Sequence, residues 1–429
     1  PSNIAYSYYG NKVTYKTFIS KIDEAACAFI RMGVKKGDYV TIAMPNTPEA
    51  LTCFYALNKI GAICNMMHPL SSEEEFKYGI NLVKSKYLMV ADIAYQKIKN
   101  IRSEICVEKI LYAPVCESMD PLMKIGYKLT AGRGAAKCDD NALPYYRFIA
   151  RAKFHKEKVK VQSKSEDVAV ILHSGGTTGK PKGIELTNKN LNAVVLEGIE
   201  IEKMLGPNMT ILGIMPIFHG FGLAISFHSS FSIGAHAIIL PSVSPKTFDE
   251  TILKYKPNII ACVPSLLETI TKSKKMVDAD LSFIKDVFVG GDILSEKLQE
   301  ELDEFLYDHG CEAHITCAFG SYELIQMIID RNNMHDFETF NFFKWIFKTF
   351  VDVTIVTNTW NIVMAVFDVA QHVVSNAAGV IISDTSIDVE TIITDMEARL
   401  WEMDIGALFG LWFQTTLVSI VTWALTICI

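Results

Sequence analysis

The sequence predicts an α/β fold with a layered, largely parallel sheet over its first three quarters. A mainly helical membrane segment is predicted to follow. Three observations predict this. Short apolar runs bounded by Gly or Pro alternate with helical patterns up to about residue 325, the mark of strands that pair in parallel through helical crossovers. Composition then changes: Pro264 is the last proline, and only Gly379, Gly406 and Gly410 follow Gly320. Finally, residues 405–429 carry no charge over 25 residues, and about 20 apolar residues in a helix cross a bilayer.

The elements follow in order. Phe18, Ile22, Ala25, Ala26, Phe29 and Ile30 recur at helical spacing, and Gly33 closes that helix. "YVTIAM" makes a short buried strand ending at Pro45. Thr47 caps a helix running through Gly61, and a second apolar strand follows. Six further runs read as strands: 167–173, 210–216, 235–241, 258–264, 286–292 and 314–320. No fixed-period repeat and no low-complexity segment interrupts them. The organisation expected is a core over 1–325, a junction over 326–344 and a helical segment over 345–429, with a transmembrane helix at about 405–429. The stretch 345–367 is interrupted by Lys348 and Asp352; it reads as an interfacial helix, a second span or a core segment.

Charge narrows the function classes. The net charge is −7, but the last hundred residues, from Asp330, carry twelve acids against four bases. The rest holds 36 acids and 37 bases, without the basic stripe that a nucleic-acid partner needs. The acidic flank 384–404 has Arg399 as its only base, which orients it away from the cytoplasm. Ten cysteines are scattered singly, which fits a reducing, cytoplasmic setting for the core rather than a disulfide scaffold. The chain starts Pro-Ser-Asn with no secretory signal, and this start reads as a fragment boundary or a processed end.

Chemistry concentrates in "ILHSGGTTGKPKG", residues 171–183, between a strand and an expected helix. Gly175, Gly176 and Gly179 let backbone amides approach an anion; Ser174, Thr177 and Thr178 add hydroxyl donors, and Lys180 and Lys182 add charge. A Walker A loop fails twice here. Gly175 and Gly179 bracket three residues rather than four, and Pro181 stands where Ser or Thr should hold magnesium. A kinase-type G-x-G-x-x-G fails as well.

"SGGTTGKPKG" resembles the phosphate-binding signature of the adenylate-forming superfamily, which includes acyl- and aryl-CoA synthetases. Further segments are similar to that family's motifs and arrive in its order over about residues 5–325: "MPIFHGFGL" (215–223), "VPSLL" (263–267), "GGDILS" (290–295) and "FGSYE" (319–323). The resemblance implies ATP-dependent activation of a carboxylic acid to an acyl-adenylate, then thioester formation with coenzyme A. The P-x-F-H pattern favours fatty or aryl acids over amino acids. By the same resemblance, Ser174, Gly175, Gly176, Thr177, Thr178, Gly179, Lys180 and Lys182 hold the terminal phosphates of ATP. Glu323 holds Mg²⁺, an oxygen ligand for a hard cation, and Phe319, Gly320, Ser321 and Tyr322 accompany it. Gly290, Gly291 and Asp292 border the adenine. His219 stands beside the acyl pocket or, flanked by Phe218 and Phe221, packs in the core.

This sequence also departs from the family. Tyr322 replaces the threonine of Y-G-x-T-E, and Phe319 replaces the usual tyrosine. After Glu323 there is no Y-x-T-G-D with a ribose-binding Asp, no hinge and no carboxyl-terminal lid with its lysine. Instead the carboxyl-terminal hundred residues resemble TrbL/VirB6-type components of conjugal transfer systems. The expected picture is therefore a truncated, impaired ligase core tied to the membrane by its last helix, and cytoplasmic provided that an earlier segment also crosses. The alternative is a membrane component of a transfer or secretion apparatus carrying a vestigial ligase.

Two further segments are weighed here. His309, Cys311, His314 and Cys317 lie within nine residues, but their spacing fits no paired zinc site. Strand alternation sets Cys311 and Cys317 on one face and His314 on the other. "LMKIGYKLTAGRGAAK" (122–137) is basic and partly amphipathic; it reads as a solvated excursion, with contact to a membrane surface as the alternative.

Overall fold

In the computed structural model the described residues are 2–152, 159–173, 181–201, 206–292, 294–313 and 315–318. All belong to the first of the two units into which the chain divides, 1–343; the second, 344–429, lies outside the described residues. The expected spans at 345–367 and 405–429 therefore fall outside them too. Among the described residues no helix is long and apolar enough to cross a membrane.

Fourteen strands form among the described residues: β1 (Ile4–Tyr8), β2 (Asn11–Thr14), β3 (Tyr39–Ala43), β4 (Ile63–Met66), β5 (Tyr87–Val90), β6 (Lys109–Tyr112), β7 (Leu143–Pro144), β8 (Val168–His173), β9 (Gly183–Thr187), β10 (Thr210–Gly213), β11 (His236–Ile239), β12 (Ile259–Cys262), β13 (Asp286–Gly290) and β14 (Ile315–Ala318). All six of the later apolar runs are strands. They build two seven-stranded sheets, β14-β13-β12-β10-β11-β1-β2 and β7-β6-β5-β3-β4-β8-β9. Every pairing is parallel except β1–β2 and β8–β9.

The two sheets repeat one plan that no sequence period announces. In each, five consecutive strands lie in the order second, first, third, fourth, fifth, a doubly wound arrangement whose chain direction reverses beside the first strand. Each then gains an antiparallel pair beside its second strand. The pair comes from the other half: β1 and β2 precede β3–β7 yet join β11, while β8 and β9 precede β10–β14 yet join β4. The halves thus exchange hairpins, and each completes the other's sheet edge.

Local chemistry explains most elements. Helix Tyr15–Met32 starts at Thr14, whose hydroxyl accepts from the Thr17 amide, and ends at Gly33 with φ 103°, a left-handed cap that glycine adopts without strain. Phe18, Ala25, Ala26 and Phe29 face the core as expected, but Ile30 is 44 % exposed because Phe29 takes the buried position. Helix Pro48–Lys59 is capped by Thr47 and stops two residues short of the expected Gly61. The main core joins both sheets through Tyr6, Ile42, Phe54, Leu172, Phe227 and Ile239. A second core under β12 and β13 holds Phe248, Leu267 and Leu302.

Two expectations are corrected. The segment after the glycine-rich loop is not a helix but β9, antiparallel to β8 with His173 opposite Gly183. Its buried Ile184 and Leu186 alternate with exposed Glu185, a two-residue period that "GIELT" carries in plain view. Helix Asn188–Ile201 follows only afterwards. The loop thus lies between two paired antiparallel strands, and the helix expected directly after it begins only at Asn188. The alternation that paired Cys311 with Cys317 also fails, since β14 begins at Ile315 and Cys311 sits buried in the preceding turn. His309 donates from Nδ1 to the Phe305 carbonyl at 2.6 Å, and His314 lies outside the described residues. Among the described residues no three His, Cys, Asp or Glu side chains are grouped to hold a metal.

Candidate active site

Three of the resembling segments leave the carboxyl ends of neighbouring parallel strands. β10 precedes Pro216–Gly220, β12 precedes Val263–Pro264, and β13 runs into Gly290–Asp292. Register sets them side by side: Ile211 lies opposite Ile259, and Cys262 opposite Val289. The β10–β12 boundary is where strand order reverses, and loops diverging there leave a crevice in open α/β sheets. Gly291 has φ 83°, and a Cβ there would lie 3.5 Å from Val263 Cγ1, so the Gly-Gly turn passes close over the β12 loop.

The Pro216–Gly220 turn is held from both sheets. Asn46, 1 % exposed at the end of β3, donates from Nδ2 to the Met215 carbonyl at 3.0 Å and accepts the Ile217 amide on Oδ1 at 2.9 Å. A π-helix, Phe221–Ser229, follows. Its Gly222 is obligatory, because a Cβ would sit 2.1 Å from the Pro216 carbonyl oxygen. Such wide helices recur at functional sites.

His219 is exposed and not packed in the core, which removes one of its two expected placements. Desolvation by neighbouring atoms lowers its pKa, so the ring is neutral near pH 7. Next to it, the Phe218 ring packs on the imidazole of His68, centroids 4.5 Å apart. His68 follows β4 and accepts the Leu70 amide on Nδ1 at 2.9 Å, which puts its proton on Nε2. Desolvation by neighbouring atoms lowers its pKa as well, although the residue is exposed. Two neutral histidines, one from each sheet, thus flank Phe218.

The glycine-rich loop springs from a built anchor. Asn65 on β4 is fully buried; its Nδ2 donates to Thr41 Oγ1 at 2.9 Å and to the Gly79 carbonyl at 3.3 Å. Its Oδ1 therefore faces His173 Nε2, 2.7 Å away, and the imidazole donates there. Burial lowers the His173 pKa and keeps that tautomer neutral. At the far side of the hairpin, Lys182 borders an open groove of about 510 Å³ lined also by Tyr39, Tyr78, Lys84 and Glu185. That groove also reaches Tyr39, the first residue of β3.

Among the expected site residues, Lys182, His219, Gly290, Gly291 and Asp292 are described, and the last four lie at the β10–β13 strand ends. Ser174, Gly175, Gly176, Thr177, Thr178, Gly179, Lys180, Phe319, Gly320, Ser321, Tyr322 and Glu323 lie outside the described residues. The supporting Asn46, Asn65, His68 and His173 carry no motif in one sequence. "MPN" and "NMMHP" at strand ends signal Asn46, Asn65 and His68, and His173 stands at the start of the glycine-rich stretch 171–183.

The AMP-binding enzyme family model matches residues 1–342. A second model, TrbL/VirB6 plasmid conjugal transfer like protein, matches 313–429. The long-chain-fatty-acid–CoA ligase of Bacillus subtilis is 26 % identical over 317 residues, 71 % of this chain and 55 % of that protein. A probable 4-coumarate–CoA ligase of Dictyostelium discoideum is 28 % identical over 300 residues, 68 % of this chain and 53 % of its own. The chain thus spans about half the length of these relatives. Among solved structures, a long-chain-fatty-acid-CoA ligase from Archaeoglobus fulgidus superposes with a TM-score of 0.62 at 22 % identity, covering 76 % of this chain and 62 % of that one. The anthranilate CoA ligase AuaEII in complex with anthranoyl-AMP gives 0.64 at 19 %, covering 75 % and 57 %. With its two doubly wound sheets and the matched residues 1–342, the chain belongs to the family of AMP-binding enzymes.

Proposed function

We propose that residues 1–325 are the amino-terminal core of an acid–thiol ligase that activates a fatty or aryl carboxylic acid with ATP. In its relatives' names the activated acid goes on to coenzyme A, and the same acceptor is proposed here. The observation that carries this reading is the meeting of Pro216–Gly220, Val263–Pro264 and Gly290–Asp292 at adjacent strand ends, in a chain of this family.

The residues fit a nucleotide. Both reactants of the first step are anionic, so the site has to offset repulsion and the charge that develops on the phosphoryl oxygens. Lys182 and the amides and hydroxyls of 174–180 would hold the β- and γ-phosphates. The Gly291 backbone, left-handed and without a side chain, leaves a flat edge for the adenine beside Asp292. His219 and His68, both neutral, would line the acyl end without adding charge there. Mg²⁺ would offset phosphate charge, held by those phosphates and Glu323; no described cluster competes for it. The carboxylate oxygen attacks the α-phosphorus, pyrophosphate leaves, and an acyl-adenylate forms.

Turnover by this chain is proposed to be low. Residues that position ATP and the thiol in such chemistry supply much of the rate, and no Y-x-T-G-D segment occurs in residues 324–429, where the resemblance has stopped. A second reading is favoured by the conjugal-transfer match at 313–429, which overlaps the family match within 313–342. There the last hundred residues act in a membrane apparatus and the ligase part is vestigial, with the core on the cytoplasmic side.

ATP–pyrophosphate exchange with a panel of fatty and aryl acids separates the two. Exchange that is lost in Lys182→Ala and Glu323→Gln supports the ligase. A charge-assisted contact of the lysine kind is worth about 1.5–3 kcal/mol, so Mg-ATP affinity should fall about 10- to 100-fold in K182A. Undiminished binding in both variants would remove the ligase reading.

A further inference from the structure

We propose that helix Pro121–Leu129 and the turn through Lys137 form a docking surface for anionic phospholipid bilayers. The helix starts at Asp120, which caps the Leu122 amide at 3.0 Å. Leu122, Ile125 and Leu129 are 79 %, 57 % and 69 % exposed. At about 100° per residue they fall within an arc of about 60°, so three branched aliphatic side chains share one outward stripe. Lys128, Arg133 and Lys137 are exposed beside it, and no acid occurs from 121 to 138. None of the described ion pairs involves these three cations.

The stripe faces out by construction. Tyr127, on the opposite side, donates to Asp92 Oδ2 at 3.1 Å and pins the helix to the core. The turn folds back on it: the Gly132 amide donates to the Tyr127 carbonyl at 2.8 Å, and a Cβ at Gly132 would lie 2.4 Å from the Tyr127 ring. Tyr112 then donates to the Ala136 carbonyl at 2.8 Å and fastens the basic turn beside the helix. The surface is preformed, so little ordering entropy opposes its use.

Charge complementarity selects the occupant. Cations interleaved with protruding aliphatic side chains match a surface that offers phosphate at one depth and hydrocarbon just beneath it. Nucleic acid offers no partner for the leucines, and the stripe has no aromatic ring on which bases could stack.

The test is hydrogen exchange on the full chain, reading the peptides that cover 121–137 with vesicles present. Vesicles of phosphatidylcholine with about one third phosphatidylglycerol should slow exchange there, and pure phosphatidylcholine should not. Each cation near an anionic surface contributes about fivefold to partitioning, so K128A/R133A/K137A should need far more lipid for the same protection. I125E/L129E should abolish it; because both side chains are exposed, its thermal unfolding should match that of the wild type. Because the readout is local, membrane association through 405–429 does not imitate it. Unchanged exchange at 121–137 on vesicles that bind the chain would overturn the proposal. Equal protection by soluble polyglutamate would also overturn it, and would assign the surface to an acidic protein partner.

Discussion

Glu49 offers a sharp test of the packing around helix Pro48–Lys59. It lies in the first turn of helix Pro48–Lys59, 1 % exposed, with Oε1 accepting from the Ser118 hydroxyl and Oε2 without a hydrogen-bond partner among the described residues. Burial pushes its pKa up from 4.5 to about 7, and the Ser118 hydrogen bond offsets only part of that. The sign follows from linkage. Between pH 4.5 and 7 the unfolded chain has released this proton while the folded chain keeps it. The stabilisation is therefore complete below pH 4.5 and is lost as pH rises through 7. At 1.36 kcal/mol per unit, raising pH from about 5 to about 8.5 should cost about 2 to 3 kcal/mol through this group. Glu49→Gln removes the proton but keeps the shape and the Ser118 contact. Urea unfolding of both proteins, followed by circular dichroism across that range, should show the variant gaining on the wild type by about that amount. His228 and His236, lowered by burial to about 4, act in the opposite direction at more acidic pH, but they are common to both proteins and cancel in the difference. Parallel stability curves, within about half a kcal/mol at every pH, would refute the burial of this carboxyl.

Other outcomes follow from the same geometry. Asn46→Ala strands the buried Ile217 amide and Met215 carbonyl, at about 1–3 kcal/mol for each unsatisfied group. Urea unfolding should show the loss, and pyrophosphate exchange should fall with it because the Pro216–Gly220 turn loses its tie to β3. Gly222→Ala should destabilise the core by several kcal/mol or prevent folding, since its Cβ meets backbone at 2.1 Å. Gly126→Ala, in a helix with nothing within 4 Å, should instead stabilise by about 0.5–1 kcal/mol; thermal melts distinguish the signs. Residues 1–152 expressed alone lack the β8–β9 pair and leave β1–β2 without a sheet to join. They should give no cooperative melt, whereas a fragment that melts cooperatively would contradict the exchange of hairpins.

The legible part of this protein was whatever local chemistry dictates. Thr47 before Pro48 starts a helix because its hydroxyl accepts an orphan amide, and Gly33 ends one because it takes positive φ at no cost. Apolar runs such as "NIIACVP" had to be buried, and in a parallel sheet they are. Motif order also carried the family: G-G-T-T-G-K, P-x-F-H and the Gly-Gly turn of "GGDILS" follow one another in the chain as the resemblance requires, and the family model matches residues 1–342. "GIELT" also carries a strand's two-residue period, Ile184 and Leu186 buried on either side of exposed Glu185, a signal that the local pattern supplies.

Pairing belongs to tertiary structure. Which edge β1 and β8 join depends on contacts more than a hundred residues away, such as Tyr6 opposite Ala237 and Cys64 opposite Val170. No local propensity encodes that choice, so neither the exchanged hairpins nor the repeated strand order was visible along the chain. The same holds for Asn46, Asn65 and His173, ordinary polar residues that become site supports only when folding brings their distant partners within hydrogen-bonding reach. Burial turns an unremarkable amide into a constraint, because a polar group cut off from water must be satisfied by whatever the fold brings alongside.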